Sequence, residues 1–327
     1  MIIDKLNDKY FFFEIKNKNN MILKLTNIGA SIAGVFFNDK NNNQIQVSFG
    51  SDDINFYLNP HDYIGASVGI VANRIINAEF EIENKKYTLS KNDNNKHHLH
   101  GGVDGISNRI FDYKKINENS ILFTYLSEKG EYPANINISI EYTLTDENDI
   151  IIKYNAKADS KTPINLTNHA YWNLNGEGNI YNHNIFIDAN YFLPTTNEYV
   201  PNGEVLKTKN TEFDFTIKKD LKNIENKDLY DHCFIFENSN INKLRASAYS
   251  SITGITLELY TTKPAMHFYT GNFLDNREVR NTILNKHNAF CFETEYLPAS
   301  VNFNHFPSII FDEKKEYNEI TIYKLKI

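Results

Sequence analysis

Ile136-Asn137-Ile138-Ser139-Ile140-Glu141-Tyr142-Thr143-Leu144 alternates apolar and polar residues without a break. Successive side chains of an extended strand point to opposite faces, so this run buries one face and wets the other. Ile150, Ile152, Tyr154, Ala156 and Ala158 repeat the period, and Asp146-Glu147-Asn148-Asp149 supplies a turn between the two runs. The pair therefore predicts an antiparallel hairpin.

The same period recurs outward from this hairpin. Phe80-Glu81-Ile82 and Tyr87-Thr88-Leu89 flank Glu83-Asn84-Lys85-Lys86 as a second hairpin, and Glu319 to Ile327 predicts a last strand. Helix signals are few. Ser51-Asp52-Asp53 is placed to cap a short helix through Tyr57, ended by Asn59-Pro60. No Gly/Ser/Pro-rich linker divides the chain and no repeat is evident. The expectation is an all-β protein over residues 1–327, a large single-domain antiparallel β-sandwich with few short helices.

Composition narrows the function classes. The 327 residues are 41% hydrophobic and 13% aromatic, enough for a sizeable core. A net charge of -7 argues against a nucleic-acid partner, which needs a basic patch. No apolar run approaches the roughly 18 residues of a membrane helix. Asp4 and Asp8 spoil the N-terminus as a signal peptide. These features predict a cytoplasmic enzyme, in which Cys233 and Cys291 stay reduced. Gly-x-Gly-x-x-Gly, the phosphate-binding Gly-x-x-x-x-Gly-Lys-Ser/Thr and Gly-x-Ser-x-Gly are all missing, so nucleotide cofactors and serine nucleophiles have no support.

Three stretches carry residues suited to acid–base chemistry. In Asn165-Leu166-Thr167-Asn168-His169-Ala170-Tyr171-Trp172-Asn173-Leu174, an extended backbone puts His169, Tyr171 and Asn173 on one face and Ala170, Trp172 and Leu174 on the other. Tyr171 then suits a cleft wall and Trp172 the core. In Cys291-Phe292-Glu293-Thr294-Glu295 the two carboxylates share a face about 6–7 Å apart. Phe290, Phe292 and Leu297 around them would raise a carboxylate toward the range of a useful base. In His97-His98-Leu99-His100-Gly101-Gly102, His98 and His100 would point the same way on a strand, which permits a metal site. No Cys or acidic ligand stands close by, and no metal is expected. The glycines would let the backbone approach a ligand. Arg74, inside the apolar run Gly69 to Ile75, needs a partner such as Glu293 or a ligand hydroxyl. Asp231 stands before Phe234-Ile235-Phe236, where it suits a cleft edge.

Taken in order, Ala72-Asn73-Arg74-Ile75, Leu99-His100-Gly101-Gly102, Asn168 to Leu174, Phe268-Tyr269-Thr270-Gly271-Asn272 and Glu293-Thr294-Glu295 resemble the motifs of aldose 1-epimerases, the galactose mutarotases. Thr26-Asn27-Ile28-Gly29-Ala30, Pro201-Asn202-Gly203-Glu204 and Asp231-His232 fill the gaps, so the resemblance spans nearly the whole chain. It implies the galactose mutarotase-like supersandwich and exchange of the α and β anomers of free aldoses such as galactose and glucose, without a cofactor. Matched by motif, His169 stands at the family's general acid, Glu293 at its general base and His100 at a second active-site histidine. Arg74, Asp231 and Asn73 stand at sugar-binding positions. The expected partner is a monosaccharide, with neither nucleic acid nor membrane.

Three positions depart from the family pattern. Glu295 replaces a Gln in Glu-Thr-Gln, Pro298-Ala299-Ser300 replaces Pro-Asp-Ala, and His267 replaces a Gln before Phe-Tyr-Thr-Gly-Asn. His267 shares a face with Tyr269 and can still meet a sugar. These changes bear on sugar preference. Three other readings remain: a glycoside hydrolase using Glu293 with Asp231 or Glu295, an epimerase of hexose 6-phosphates, which needs extra cations for which Arg109 and Arg245 have no motif support, and a sugar-binding module without catalysis.

Overall fold

A computed structural model describes the chain except for residues 6–7, 60–61 and 225–229. The opening hairpin forms as its period dictates. Ile136–Leu144 pairs antiparallel with Asp149–Ala158, with Ile138 opposite Ala156, Ile140 opposite Tyr154 and Leu144 opposite Ile150. The apolar set is buried throughout. Each such side chain contributes about 1.5–3 kcal/mol by leaving water, which fixes the register against a one-residue slip.

This hairpin lies within a nine-stranded antiparallel sheet. From one edge its strands are Asp112–Asn117, Ser120–Ser127, Ile136–Leu144, Asp149–Ala158, Tyr317–Lys326, Thr256–Thr261, Ala246–Ser250, His183–Ile187 and Lys219–Asp220. The C-terminal strand thus starts two residues before the expected Glu319, with Tyr317 buried in the core. A five-stranded sheet gathers the N-terminal strands from Ile2–Lys5 to Gln44–Ser48. A second five-stranded sheet runs Leu206–Lys207, Tyr191–Leu193, Asp231–Ile235, Ala265–Tyr269 and Cys291–Glu295. One apolar core joins residues of all three sheets, among them Leu23, Ile140 and Phe268.

Two local expectations change. The second hairpin pairs Glu79–Ile82 with Lys85–Thr88, leaving only Glu83 and Asn84 in the turn. Both have positive φ (51° and 62°), the geometry of a two-residue turn matched to strand twist, so Lys85 and Lys86 join the strand. The short helix spans Ile54–Leu58, and the Asp53 side chain caps it by accepting from Asn55 N at 2.9 Å. Pro60, the expected stop, lies outside the described residues. Among the described residues no helix is long and apolar enough to cross a membrane.

Candidate active site

Three neighbouring strands set out one wall of a cleft. In the Asp231–Ile235, Ala265–Tyr269 and Cys291–Glu295 ladder, Asp231 lies opposite Tyr269, and His267 opposite both Cys233 and Glu293. Paired residues face the same side, so Asp231, His267, Tyr269, Glu293 and Glu295 share one face. Phe234, Met266, Phe268 and Phe292 take the other face and enter the core. The period that builds the sheet thus separates chemistry from packing.

The opposite wall comes from shorter pieces. Arg74–Ile75 pairs with His98–Leu99, which brings Arg74 beside His100. Thr167–Asn168 pairs with Ser67–Val68 and delivers His169, whose backbone is held by Ala66 and Gly65. Asn73, Arg74, His100, His169, Tyr171, Asp231, His267 and Glu293 all border one cleft of about 150 Å³. A volume this small suits one small polar molecule, below the usual size of drug-like pockets.

At its centre His169 Nε2 stands 3.5 Å from Glu293 Oε1. Both groups are almost wholly buried. Burial drives the His169 imidazole down to about 3. Burial, reinforced by Glu295 and Asp231, pushes the Glu293 carboxyl well above its usual range, while Arg74 pulls it back. The Tyr171 ring stacks on His169 at 5.0 Å, and its hydroxyl donates to the Asp62 carbonyl. Tyr171 is therefore at the cleft wall as expected, with its polar end already engaged. Trp172 is fully buried in the core.

His100 overturns the expectation that it shares a face with His98. Its φ is +52°, which breaks the strand and swings the ring into the cleft, edge-on to His169 at 5.5 Å. His98 faces the interior instead, between the Ser90 carbonyl and the Tyr132 hydroxyl. The glycines also act differently from expectation. A Cβ on Gly101 would lie 2.0 Å from the Gly69 carbonyl oxygen, and one on Gly102 2.3 Å from the His98 ring. Close packing of the chain on itself requires them.

A second correction concerns Arg74. Its partner is Asp93, with Nε donating to Oδ2 at 2.8 Å, and its guanidinium lies over the Tyr199 ring. Asp231 accepts from His267 Nε2 at 2.6 Å. Burial raises the Asp231 carboxyl, but the His267 bond and the nearby cations outweigh it and leave the net shift downward. Of the departures, Glu295 is fully buried beyond the end of the cleft on the same face as Glu293, and Ala299 donates its N–H to the Arg74 carbonyl; neither borders the cleft. Arg109 and Arg245 do not border it either; Arg245 is committed to Asp188 and Asn238.

Asp62, Tyr63 and Phe273 border the cleft without having been singled out in the sequence. Tyr63 packs on His100 at 4.6 Å and on His169 at 6.1 Å. Asp62 and Tyr63 have positive φ, so no strand period marks them. The nearest signal is an acid and an aromatic in a stretch without alternation.

His100, His169 and Glu293 each offer a ligand atom within 4.8 Å of the others, the one group of three of this kind among the described residues. The tautomer of His100 fits a metal poorly. Its Nδ1 accepts from the Asn73 N–H at 3.2 Å, so in the neutral ring Nε2 keeps the proton. Metal-ligating histidines instead donate from their second nitrogen. The arrangement can exchange protons with a buried polar ligand. Cys233 and Cys291 are free and buried.

The aldose 1-epimerase family model matches residues 12–324. The galactose mutarotase of Sus scrofa is 37% identical over 302 residues, covering 90% of this chain and 87% of that protein. The aldose 1-epimerase of Escherichia coli K12 is 30% identical over 332 residues, covering 96% and 95%. Among solved structures, the GalM/aldose epimerase homologue of C. elegans superimposes with a TM-score of 0.91 at 29% identity, covering 96% and 98% of the two chains.

Proposed function

The chain belongs to the aldose 1-epimerase family and is an enzyme of that class, and from that premise we propose that it interconverts the α and β anomers of free hexoses, galactose and glucose first among them. The supporting observation is the facing pair His169 Nε2 and Glu293 Oε1 at 3.5 Å inside a cleft that also presents Arg74, His100 and Asp231 among aromatic side chains. The names carried by the relatives, galactose mutarotase and aldose 1-epimerase, support an aldose substrate and, in the first case, galactose.

Ring opening removes the proton on the anomeric hydroxyl and adds one to the ring oxygen. In the reading proposed here Glu293 takes the first proton and His169 delivers the second. Rotation about C1–C2 and closure on the other face return both. The pair carries one proton before and after each half of the cycle, so nothing needs to be supplied from outside. His100, presenting Nε2–H, would donate a hydrogen bond to an oxygen of the sugar. Arg74 and Asp231 would hold the remaining hydroxyls, His267 and Asn73 would wall the sugar in with their polar atoms turned to protein partners, and Tyr171 keeps the His169 ring in place.

Burial favours the proton on Glu293 over His169, and this supports a second reading with the roles exchanged. There His169 takes the anomeric proton and the Glu293 carboxyl protonates the ring oxygen. The two readings have the same proton count, so a pH profile does not separate them. A crystal structure with galactose bound does, by showing which side chain lies against O1 and which against O5.

The activity test is polarimetry on freshly dissolved α-galactose and α-glucose. The wild-type protein should speed the approach to anomeric equilibrium. Glu293→Gln and His169→Asn should each lower kcat by about 10²–10⁴ with an unchanged circular-dichroism spectrum. Unaltered rates in both variants would refute the assignment of roles.

A further inference from the structure

Glu295 is an acid with no place in the scheme above. It lies on the cleft-facing side of its strand, two residues past Glu293, yet it is fully buried and does not border the cleft. Burial pushes its carboxyl up to about 7, against the pull of His267 and Lys263. Its Oε2 has no hydrogen-bond partner among the described residues. Keeping such a group out of water is costly, and a neutral side chain would avoid the cost.

Its other oxygen leads back to the cleft. Oε1 lies 3.4 Å from Asn73 Nδ2 and 3.6 Å from His267 Nδ1. Asn73 Nδ2 is also 3.2 Å from that same His267 nitrogen. The Asn73 amide cannot turn round freely, because its Oδ1 accepts from the Arg74 N–H at 2.8 Å. His267 Nε2 then reaches Asp231 Oδ1 at 2.6 Å. A continuous polar chain therefore runs from a buried carboxylate to a carboxylate that borders the cleft. A flip of the His267 ring would turn carbon atoms toward both acids and lose both ends at once.

We propose that Glu295 is a positioning residue: acting through Asn73 and His267, it fixes the Asp231 carboxylate and so sets which arrangement of sugar hydroxyls the cleft accepts. The selectivity part rests on the reading of the cleft as a sugar site. One Asp231 oxygen is occupied by His267, which leaves the other to meet a hydroxyl in a defined direction. Without Glu295, the Asn73 amide keeps only its Arg74 anchor, the His267 ring gains an alternative setting, and Asp231 loses that direction.

The test compares Glu295→Gln, His267→Gln and the double variant by polarimetry on galactose and glucose. Each single change should raise KM about five- to tenfold, the cost of one disordered buried hydrogen bond. The kcat should stay within about twofold, because the hydroxyls concerned do not react. The galactose-to-glucose ratio of kcat/KM should shift. The double variant should fall well short of the product of the singles, since the residues act as one unit. The side-chain ¹⁵N resonances of His267 in labelled protein should move in Glu295→Gln, which reads the coupling without any substrate. Multiplying KM effects, or His267 nitrogens indifferent to Glu295→Gln, would overturn the coupling. A wild-type protein that speeds no anomer exchange would overturn the sugar reading, while the nitrogen shifts would still decide the coupling.

Discussion

Removing Asp93 tests how far the cleft depends on a residue outside its lining. Its Oδ2 accepts from Arg74 Nε at 2.8 Å, and the two side chains are only 14% and 11% exposed. At an effective dielectric of about 20, opposite charges this close attract by about 6 kcal/mol. Desolvation of both groups offsets most of that. Asp93→Ala would leave a guanidinium with the Tyr199 carbonyl at 3.4 Å and the Tyr199 ring as its remaining contacts. Partial exposure lets water replace some of the loss, so the net destabilisation should be about 1–3 kcal/mol. For a chain of this size that is a fall of roughly 1.5–4.5 °C in Tm. Arg74 would also lose its orientation, raising the KM for galactose with little change in kcat. Calorimetry and polarimetry on the same preparation read both effects. A variant with unchanged Tm and unchanged KM would show that Asp93 holds nothing in place, and the account of Arg74 would fail.

Two further perturbations probe the framework around the cleft. His183 is fully buried, held neutral between the Leu174 N–H and the Ile180 carbonyl, and burial lowers it to about 4. The unfolded chain binds that proton below about pH 6.5, so this residue removes stability as pH falls from there toward 4. Urea midpoints of His183→Gln and the wild type should therefore differ less at pH 5 than at pH 7, and a constant difference would refute the linkage. Gly101→Ala should cost at least about 3 kcal/mol in urea unfolding, because φ is +87° and the new Cβ would meet the Gly69 carbonyl oxygen; a loss below 1 kcal/mol would contradict the packing.

What could be read from the residues depended on whether backbone alternation continued. Where a strand ran unbroken, as at Cys291–Glu295, the face of each side chain followed directly, and Glu293 and Glu295 were placed together. At His100 the inference failed because one left-handed residue ended the strand and sent the ring away from His98. Tyr63 gave no signal for the same reason. Arg74 was read correctly as a cation needing a partner. Its choice of Asp93 over Glu293 follows from the pairing of Arg74–Ile75 with His98–Leu99, which carries the Asp93 turn onto Arg74; no local pattern encodes that pairing. The Gly101 and Gly102 positions were marked, but what they pack against lay elsewhere in the chain.

The ladder behind the cleft has a further effect on errors of assembly. Asp231, His267 and Glu293 stand on three neighbouring strands whose reverse sides hold Phe234, Met266, Phe268 and Phe292. A slip of the central strand by one residue would put Met266 or Phe268 where His267 belongs and drive the histidine into the oily interior. A mispaired molecule would therefore be unstable and would lack the polar wall of the cleft. Faulty copies would unfold rather than persist with an altered cleft.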